Sequence, residues 1–213
     1  MAAQTSGILV FGGTGGTGLE IVKILSTRGG SVTVFVRETS DRSALEPLGV
    51  SFVVGDTLSA ESVRAALTSG NFNTVISSLG SPRGGSSVDD VGTINIVDAA
   101  EAAGVERFLM VSSIGAGDSR DKLPFYVRWI FGAAHDRKTK AENHLKASSL
   151  QYTIIRFGPL ADGPATGTGH LVENLEKFRL QSIPRAEVAQ LLVRALDDPS
   201  AVGKVYHTVP NVD

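Results

Sequence analysis

Short, continuously apolar runs alternate with longer amphipathic segments along most of the chain. A strand that is covered on both faces is apolar at successive positions, so the runs predict strands of a buried parallel sheet. They are ILVF from Ile8, SVTVFV from Ser31, VSFVV from Val50, NTVISS from Asn73, RFLMVSS from Arg107, YTIIRF from Tyr152 and KVYHTV from Lys204.

The segments between the strands carry apolar residues at helical spacing. Helices are predicted over Leu19–Arg28, over Ser59–Leu67, and in VGTINIVDAAEAAG from Val91, KTKAENHLKASS from Lys138 and RAEVAQLLVRAL from Arg185. This alternation predicts an α/β fold, a doubly wound parallel sheet (Rossmann) in three α/β/α layers, as a single domain over residues 1–213. The Gly- and Pro-rich segment Pro159–His170 predicts a mobile loop, and a small C-terminal substrate region is expected from about residue 159.

Composition narrows the function classes. Hydrophobic residues make up 42% of the 213 residues, and 20 Lys+Arg balance 22 Asp+Glu, without the basic excess of a nucleic-acid binder. The chain has no Cys, which excludes disulfides, thiol nucleophiles and Cys-ligated metals, and its scattered His residues predict no metal site. No membrane helix or secretory signal is predicted, so we expect a cytoplasmic protein, or one of an organelle stroma if a transit peptide was removed. Neither nucleic acid nor membrane is expected as a partner, and the expected state is a monomer or homodimer.

A loop made only of Gly and Thr follows the first strand and opens the first helix, in VFGGTGGTGLE. Glycine permits the tight turn, lets the backbone approach a pyrophosphate and lets the helix pack closely on the strand. The G-x-G-x-x-G register uses Gly13, and a second register, which we prefer because Gly12 directly follows the strand, uses Gly12 instead. A flexible turn is the alternative to a dinucleotide site. The predicted cofactor-binding residues here are Gly12, Thr14, Gly15, Gly16, Thr17 and Gly18.

The end of the second strand bears on the choice of dinucleotide. An NAD-binding unit usually has an acid here for the ribose 2′-hydroxyl, but this chain has Arg37, followed by Glu38. A guanidinium matches a 2′-phosphate in charge and geometry, so NADP(H) is favoured over NAD(H). The alternative is a solvated Arg37, with Glu38 binding the ribose.

With these motifs, nearly the whole chain resembles the atypical short-chain dehydrogenase/reductases, which include NmrA-like sensors and flavin/biliverdin-IXβ reductases. The resemblance rests on VFGGTGGTG, VRETS, VVGDTLSAESVRAAL, VDDVGTINIVDAAEAAGVERFLMVSSIGA, KTKAENHLKASSLQYTIIRFGPL and RAEVAQLLVRAL. It implies further cofactor contacts at the carboxyl ends of strands, where open α/β sheets bind ligands. These are Asp56 and Thr57 near the adenine, Ser78, Leu79 and Gly80 along the ribose, Ser112 and Ser113 on the nicotinamide side, and Phe157, Gly158 and Pro159 past the nicotinamide.

Relatives with the complete catalytic set use Tyr-x-x-x-Lys, in which the Tyr moves the substrate proton and the Lys holds the nicotinamide ribose. The Lys-x-x-x-Glu spacing of Lys138 and Glu142 resembles that of the family, and this register places Ala134 at the Tyr position. A register on Lys140 would place Asp136 there instead. Because neither supplies a Tyr, the predicted catalytic residues are Ser113, Lys138 and His135, with solvent as another proton source.

An aromatic segment, LPFYVRWIFGAA from Leu123, precedes these residues. It predicts either an aromatic wall for a planar substrate, or core packing or a subunit interface. The leading function is hydride transfer from NADPH to a small, planar or conjugated acceptor such as a flavin, quinone or enone. A non-catalytic NADP(H) sensor of the NmrA-like type is the alternative. An epimerase is disfavoured, because reversible oxidation of a sugar hydroxyl needs a positioned base.

Overall fold

The computed structural model describes residues 7–80, 87–176 and 181–209. Within them, all seven runs predicted as strands are strands: β1 Gly7–Phe11, β2 Val32–Val36, β3 Ser51–Val54, β4 Phe72–Ser77, β5 Arg107–Ser113, β6 Gln151–Phe157 and β10 Lys204–Val209. Three short strands, β7 Leu160–Ala161, β8 His170–Val172 and β9 Ile183–Pro184, were not predicted.

The main sheet has the order β3-β2-β1-β4-β5-β6-β10-β8. All neighbours pair in parallel except β8, which runs antiparallel to β10 at the edge. The strand order reverses beside β1, between β2 and β4. Ligands bind at such a reversal in open α/β sheets, beyond the carboxyl ends of the strands.

The helices are α1 Gly16–Ser26, α2 Ala60–Thr68, α3 Thr93–Ala102, α4 Phe125–Ala147 and α5 Arg185–Asp197. Each covers one face of the sheet. Side chains of α1 and α5 share one buried cluster with Val10, and side chains of α2, α3 and α4 share the other with Phe11. Adjacent residues of β1 therefore point into opposite layers, which is the three-layer α/β/α Rossmann fold predicted from the sequence.

Two predicted segments differ from expectation. The aromatic segment and the later KTKAENHLKASS pattern form one continuous helix, α4, rather than two elements. The segment Pro159–His170 is more organised than the predicted mobile loop. It contains β7, which pairs with β9, and its turn is bonded to the buried Glu187 carboxylate by the backbone N–H groups of Thr166, Gly167 and Gly169.

Candidate cofactor and substrate site

The glycine loop lies between β1 and α1, and steric contact explains three of its glycines. Gly12 has a φ of 78°, and a Cβ there would lie 2.6 Å from the Ser78 carbonyl oxygen. A Cβ on Gly13 would lie 2.8 Å from Val34 Cγ1, and one on Gly18 would overlap the Gly12 carbonyl oxygen. Steric contact therefore does not choose between the two registers of the motif, because a Cβ on either Gly12 or Gly13 would clash with a neighbouring residue.

Gly15 has a different environment. It is the N-cap residue of α1 in extended conformation, and a Cβ built on it would meet no atom within 4 Å. The first turn of α1 contains no acidic residue. The first amides of an α-helix have no partner within the helix, and α1 begins beside this open space, which is the setting that binds a phosphate group.

The residues predicted for the adenosine half lie at the ends of β2 and β3. Arg37 is exposed, and its backbone N–H donates to Ser40 Oγ at 3.1 Å. Asp56 is exposed, and its carboxylate accepts from the Leu58 amide at 2.9 Å, which closes the turn that follows β3. Thr57 is buried, and its carbonyl accepts from Asn95 Nδ2 at 2.9 Å.

Lys138 connects α4 to the end of β4. Its Nζ donates to the Leu79 carbonyl at 2.6 Å and lies 2.9 Å from Asp89 Oδ1. Both charged side chains are at least nine-tenths buried. Lys138 is thus held beside Ser78, Leu79 and Gly80. Its pairing with Asp89, which lies in the turn Val88–Gly92, was not predicted from the sequence.

A second buried ion pair lies one helical turn further along α4. Glu142 and Arg156 have fully buried side chains, joined by Arg156 Nε to Glu142 Oε1 at 3.0 Å and Nη2 to Oε2 at 2.6 Å. Ser112 is also fully buried and donates to Glu142 Oε1 at 2.6 Å. Burial alone would lower the pKa of Arg156, but Glu142 and then Asp118 outweigh it and raise that pKa.

The Arg156 guanidinium also contacts Asp118 and His207. Nη1 of Arg156 donates to Asp118 Oδ1 at 2.5 Å and lies 3.2 Å from His207 Nε2. Because Arg has no acceptor, His207 Nε2 must accept, and the imidazole proton is on Nδ1. Burial and then the Arg156 charge lower the pKa of His207, which favours this neutral form. The network ties β5, α4, β6 and β10 together below Ser113 and Lys138.

The predicted proton-handling groups occupy different environments. Ser113 is half-buried, and its hydroxyl donates to the Ile114 carbonyl at 3.2 Å. His135 is buried against Gly115, where a Cβ would lie 2.6 Å from the ring. Burial, followed by the Arg120 charge, lowers the pKa of His135, so this imidazole is a neutral group in the fold.

The aromatic segment is the first half of α4, and interpreting it as core packing is wrong. Phe125, Tyr126, Trp129, Ile130 and Phe131 are all exposed, Phe125 at 77% and Trp129 at 85%. At 100° per residue, Phe131 and Ala134 lie on nearly the same stripe of α4 as Lys138, whereas Trp129 lies on the opposite face. The Phe131 ring is 6.3 Å from that of His135. The segment therefore has an inner stripe above Lys138 and a separate outer face.

The exit of β6 carries Phe157, Gly158 and Pro159, all half-buried, and continues into β7. Beside it, α5 begins with Arg185, which pairs with Asp162 at 2.6 Å. Sequence inspection missed this pair, because its members are 23 residues apart. Burial would raise the pKa of Glu187, but the backbone N–H bonds from the turn at Gly167 outweigh it and lower that pKa.

Other features lie away from this edge of the sheet. A cleft of about 560 Å³ lies at the amino ends of β1 to β4, among Ser31, Thr33 and Asn71, on the opposite side from the glycine loop. Over the described ranges, no three His, Asp or Glu residues are grouped so as to hold a metal ion. Over the same ranges, no helix has the length and apolarity needed to cross a membrane.

Comparison with known proteins shows the family of the chain. The model of the NAD(P)H-binding family matches residues 12–199. The chain belongs to this family. It is 33% identical to the chloroplastic protein At2g34460 of Arabidopsis thaliana, over all of this chain and 79% of that protein. It is 29% identical to YhfK of Bacillus subtilis, named an uncharacterized sugar epimerase, over 93% of this chain and 92% of YhfK.

A solved structure is similar over almost its whole length. ChuY of Escherichia coli O157:H7, described as an anaerobillin reductase, superimposes with a TM-score of 0.86 at 30% identity. The match covers 98% of this chain and 99% of ChuY. The mostly parallel sheet with flanking helices and the oxidoreductase-like family of this chain are thus established. The match to the NAD(P)H-binding family supports a nicotinamide dinucleotide as the ligand of the glycine loop.

Proposed function

We propose that this protein is an NADPH-dependent reductase that transfers hydride to a small, planar, conjugated acceptor. The observation that carries the proposal is the inner stripe of α4. Lys138 is buried and ion-paired at the carboxyl edge of the sheet, and the exposed Phe131 lies on the same stripe of α4. Ala134, also on this stripe, would occupy the position of the family's acid–base Tyr. The stripe offers an apolar surface for an acceptor and no phenol for alcohol or sugar chemistry.

Groups near the glycine loop, at Arg37 and at Lys138 support NADPH as the cofactor. The open space above Gly15 accommodates a pyrophosphate, and the exposed Arg37 can meet a 2′-phosphate with its bidentate fork. Lys138 would hold the nicotinamide ribose. The remaining predicted contacts are Gly12, Thr14, Gly16, Thr17, Gly18, Asp56, Thr57, Ser78, Leu79, Gly80, Phe157, Gly158 and Pro159. Ser112 is better assigned to positioning, because its buried hydroxyl is already bonded to Glu142.

When bound, a reduced nicotinamide supplies the hydride, so the protein has to supply proximity, orientation and a dry surface. Lys138 and the Gly80 region would orient the ribose. Phe131 would stack against a flat acceptor and exclude water from it. Ser113 is the polar group best placed to donate a proton to the reduced acceptor, and His135 and solvent are the other sources.

The acceptor class has support from a relative of known structure. ChuY, which matches nearly end to end, is described as a reductase of anaerobillin, whereas YhfK is named as a sugar epimerase. An epimerase needs a base that accepts and returns a hydroxyl proton, and Ala134 removes the usual one. We therefore assign a reductase of extended conjugated compounds, which include flavins, quinones, enones and open-chain tetrapyrroles.

The test is oxidation of NADPH, followed by the absorbance of the reduced nicotinamide, against a panel of these acceptors and of saturated aldehydes. Turnover on a conjugated acceptor and not on an aldehyde is expected. Phe131→Ala should raise the KM for the acceptor and leave NADPH affinity unchanged. Trp129→Ala, on the opposite face of the same helix, is the matched control and should change neither. Turnover limited to aldehydes or sugars would overturn the proposal.

NADPH preference has its own test. Arg37→Ala should weaken NADPH binding by about tenfold or more, because it removes a charged bidentate contact, and should leave NADH affinity nearly unchanged. Glu38→Ala is the control at the neighbouring position. Equal weakening of both cofactors, or no change, would mean that Arg37 does not contact the 2′-phosphate.

The outer face of α4 favours a second candidate function. Phe125, Tyr126 and Trp129 form an exposed apolar surface on the side away from Lys138, and such surfaces often contact other proteins. The chain would then be an NADP(H)-dependent sensor whose partner distinguishes the two redox states. Tight NADPH binding without turnover on any acceptor, together with a partner affinity that changes with cofactor redox state, would favour it.

We propose two possible compartments for the protein. A cytoplasmic location follows from the sequence expectation, and an organelle stroma is the other possibility because the similar protein At2g34460 is described as chloroplastic. Fluorescent fusions of the full-length gene product would decide between them.

A further inference from the structure

The short sheet β7–β9 places two opposite charges side by side. Leu160 pairs with Ile183 and Ala161 with Pro184, so the next pair along the register is Asp162 and Arg185. Arg185 Nη1 lies 2.6 Å from Asp162 Oδ1. The Asp162 side chain is 94% exposed, whereas that of Arg185 is only 30% exposed. The arginine is therefore held against the protein, and the aspartate is held mainly by the arginine.

The surface that covers Arg185 is the glycine loop. A Cβ built on Gly16 would lie 3.7 Å from Arg185 Nε and 3.9 Å from its Cδ. Gly16 has a positive φ of 54° and is itself exposed, next to the open space above Gly15. The helices that carry these residues share a buried cluster, which includes Val22 of α1 and Leu192 of α5. The guanidinium is thus fixed at the edge of the predicted phosphate site.

This position supplies a charge that the loop lacks. Residues 7–22 contain no Lys or Arg, so the loop and the first turns of α1 offer backbone amides and Thr hydroxyls but no cationic side chain. A pyrophosphate carries negative charge on both phosphorus centres, and a guanidinium can bind two of its oxygens at once. An exposed ion pair such as Asp162–Arg185 is worth about 1 kcal/mol or less, so the aspartate is readily exchanged for a stronger anion.

We propose that Arg185 binds the pyrophosphate of the cofactor, and that Asp162 is the counter-ion that holds the guanidinium in place when the site is empty. Cofactor binding replaces one anion by the other. The segment after β6 is then released from its ion pair at the moment when the cofactor arrives. The proposal uses the nicotinamide dinucleotide of the proposed function, but it depends neither on NADPH preference nor on reductase activity.

Binding of cofactor fragments separates the two arginines. ADP-ribose contains the pyrophosphate without a 2′-phosphate, and adenosine 2′-monophosphate contains the reverse. Arg185→Gln should weaken ADP-ribose, NADH and NADPH by about tenfold and leave adenosine 2′-monophosphate unchanged. Arg37→Gln should instead weaken adenosine 2′-monophosphate and NADPH, and should leave ADP-ribose and NADH unchanged. Arg194→Gln, an exposed substitution near the other end of α5, is the matched control and should change none of them.

Asp162→Asn tests the exchange. It should tighten ADP-ribose about threefold by removing the competing anion, and the gain should vanish when Arg185→Gln is also present. Arg185→Lys keeps the charge without the fork and should give intermediate affinity, which covers the case in which the Gln variant folds poorly. Unchanged ADP-ribose affinity in folded Arg185→Gln would overturn the proposal and leave the reductase intact. If these binding patterns are found but no acceptor is turned over, the proposed reductase activity is wrong and the role of Arg185 stands.

Discussion

The two halves of the candidate site use different chemical groups, backbone on one side and charged side chains on the other. On the α1 side, the phosphate site is made by backbone: glycines at 12, 13 and 18 permit close packing, and Gly15 leaves a space. On the α4 side, the site is made by buried side-chain charge, through Lys138 with Asp89 and Glu142 with Arg156. A backbone site tolerates only glycine at its crowded positions, whereas a charged site depends on partners that are distant in sequence.

This difference determines what a substitution does. A change in the glycine loop acts through overlap or through the loss of ligand space, and each residue acts nearly alone. A change in the α4 half leaves a partner charge buried without compensation, so its effect depends on a second residue. Stability should therefore respond most to the α4 half, and a second substitution should rescue stability only there.

The largest effect is expected at the deepest ion pair. Glu142→Gln leaves the Arg156 guanidinium buried with half of its charge compensation removed, and should lower the free energy of unfolding by about 3–5 kcal/mol. Urea unfolding measures it. Arg28→Gln, which breaks the exposed pair with Asp197, is the control and should cost less than about 1 kcal/mol. Equal losses would remove the contrast between buried and exposed pairs.

A smaller loss of stability is expected in the glycine loop, with a contrast between two alanines. Gly18→Ala places a methyl group onto the Gly12 carbonyl and should lower the free energy of unfolding by about 3 kcal/mol. The same substitution should also abolish NADPH binding. Gly15→Ala meets no protein atom and its backbone is extended, so stability should be unchanged while NADPH affinity falls about tenfold. Calorimetry of folding and of binding measures both, and unchanged affinity in Gly15→Ala would place the pyrophosphate elsewhere.

A double substitution tests the coupling at Lys138. Lys138→Gln removes the ammonium group 2.9 Å from the buried Asp89 carboxylate and should cost about 2 kcal/mol of stability. Adding Asp89→Asn should recover most of that loss, because the carboxylate that lost this ammonium group is then neutral. Turnover should stay low in both variants if Lys138 also holds the nicotinamide ribose. Recovery of turnover along with stability would mean that Lys138 has only a structural role.

The same contrast explains what could be predicted from sequence. The strands, the Rossmann fold and the glycine loop could be predicted from local patterns, because an apolar run or a glycine-rich turn is recognisable within a few residues. The partners of Lys138 and Arg156, and the Arg185–Asp162 pair, come from separate elements, so no local pattern marks them. The exposure of the aromatic segment was also not predictable, because helical spacing identifies a stripe but not whether another element covers it.

The smallest expected effect concerns pH. Burial, followed by Arg120, lowers the pKa of His135 in the folded state below 6.5, with Asp136 acting in the opposite direction. Between the two values the unfolded chain binds more protons, so stability rises with pH through this window and is lost as pH falls below 6.5. His207 contributes with the same sign, since burial and Arg156 lower its pKa too.

His135→Gln should therefore reduce the loss of stability between neutral and mildly acidic pH, because one of two buried histidines with a lowered pKa is removed. Thermal unfolding as a function of pH measures it, with His144→Gln as the control because His144 pairs with Asp98 at the surface. If His135→Gln unfolds with the wild-type pH profile, its imidazole is not held neutral by burial. His135 would then be no harder to protonate in the fold than in the unfolded chain, and it could supply a proton as an acid at mildly acidic pH.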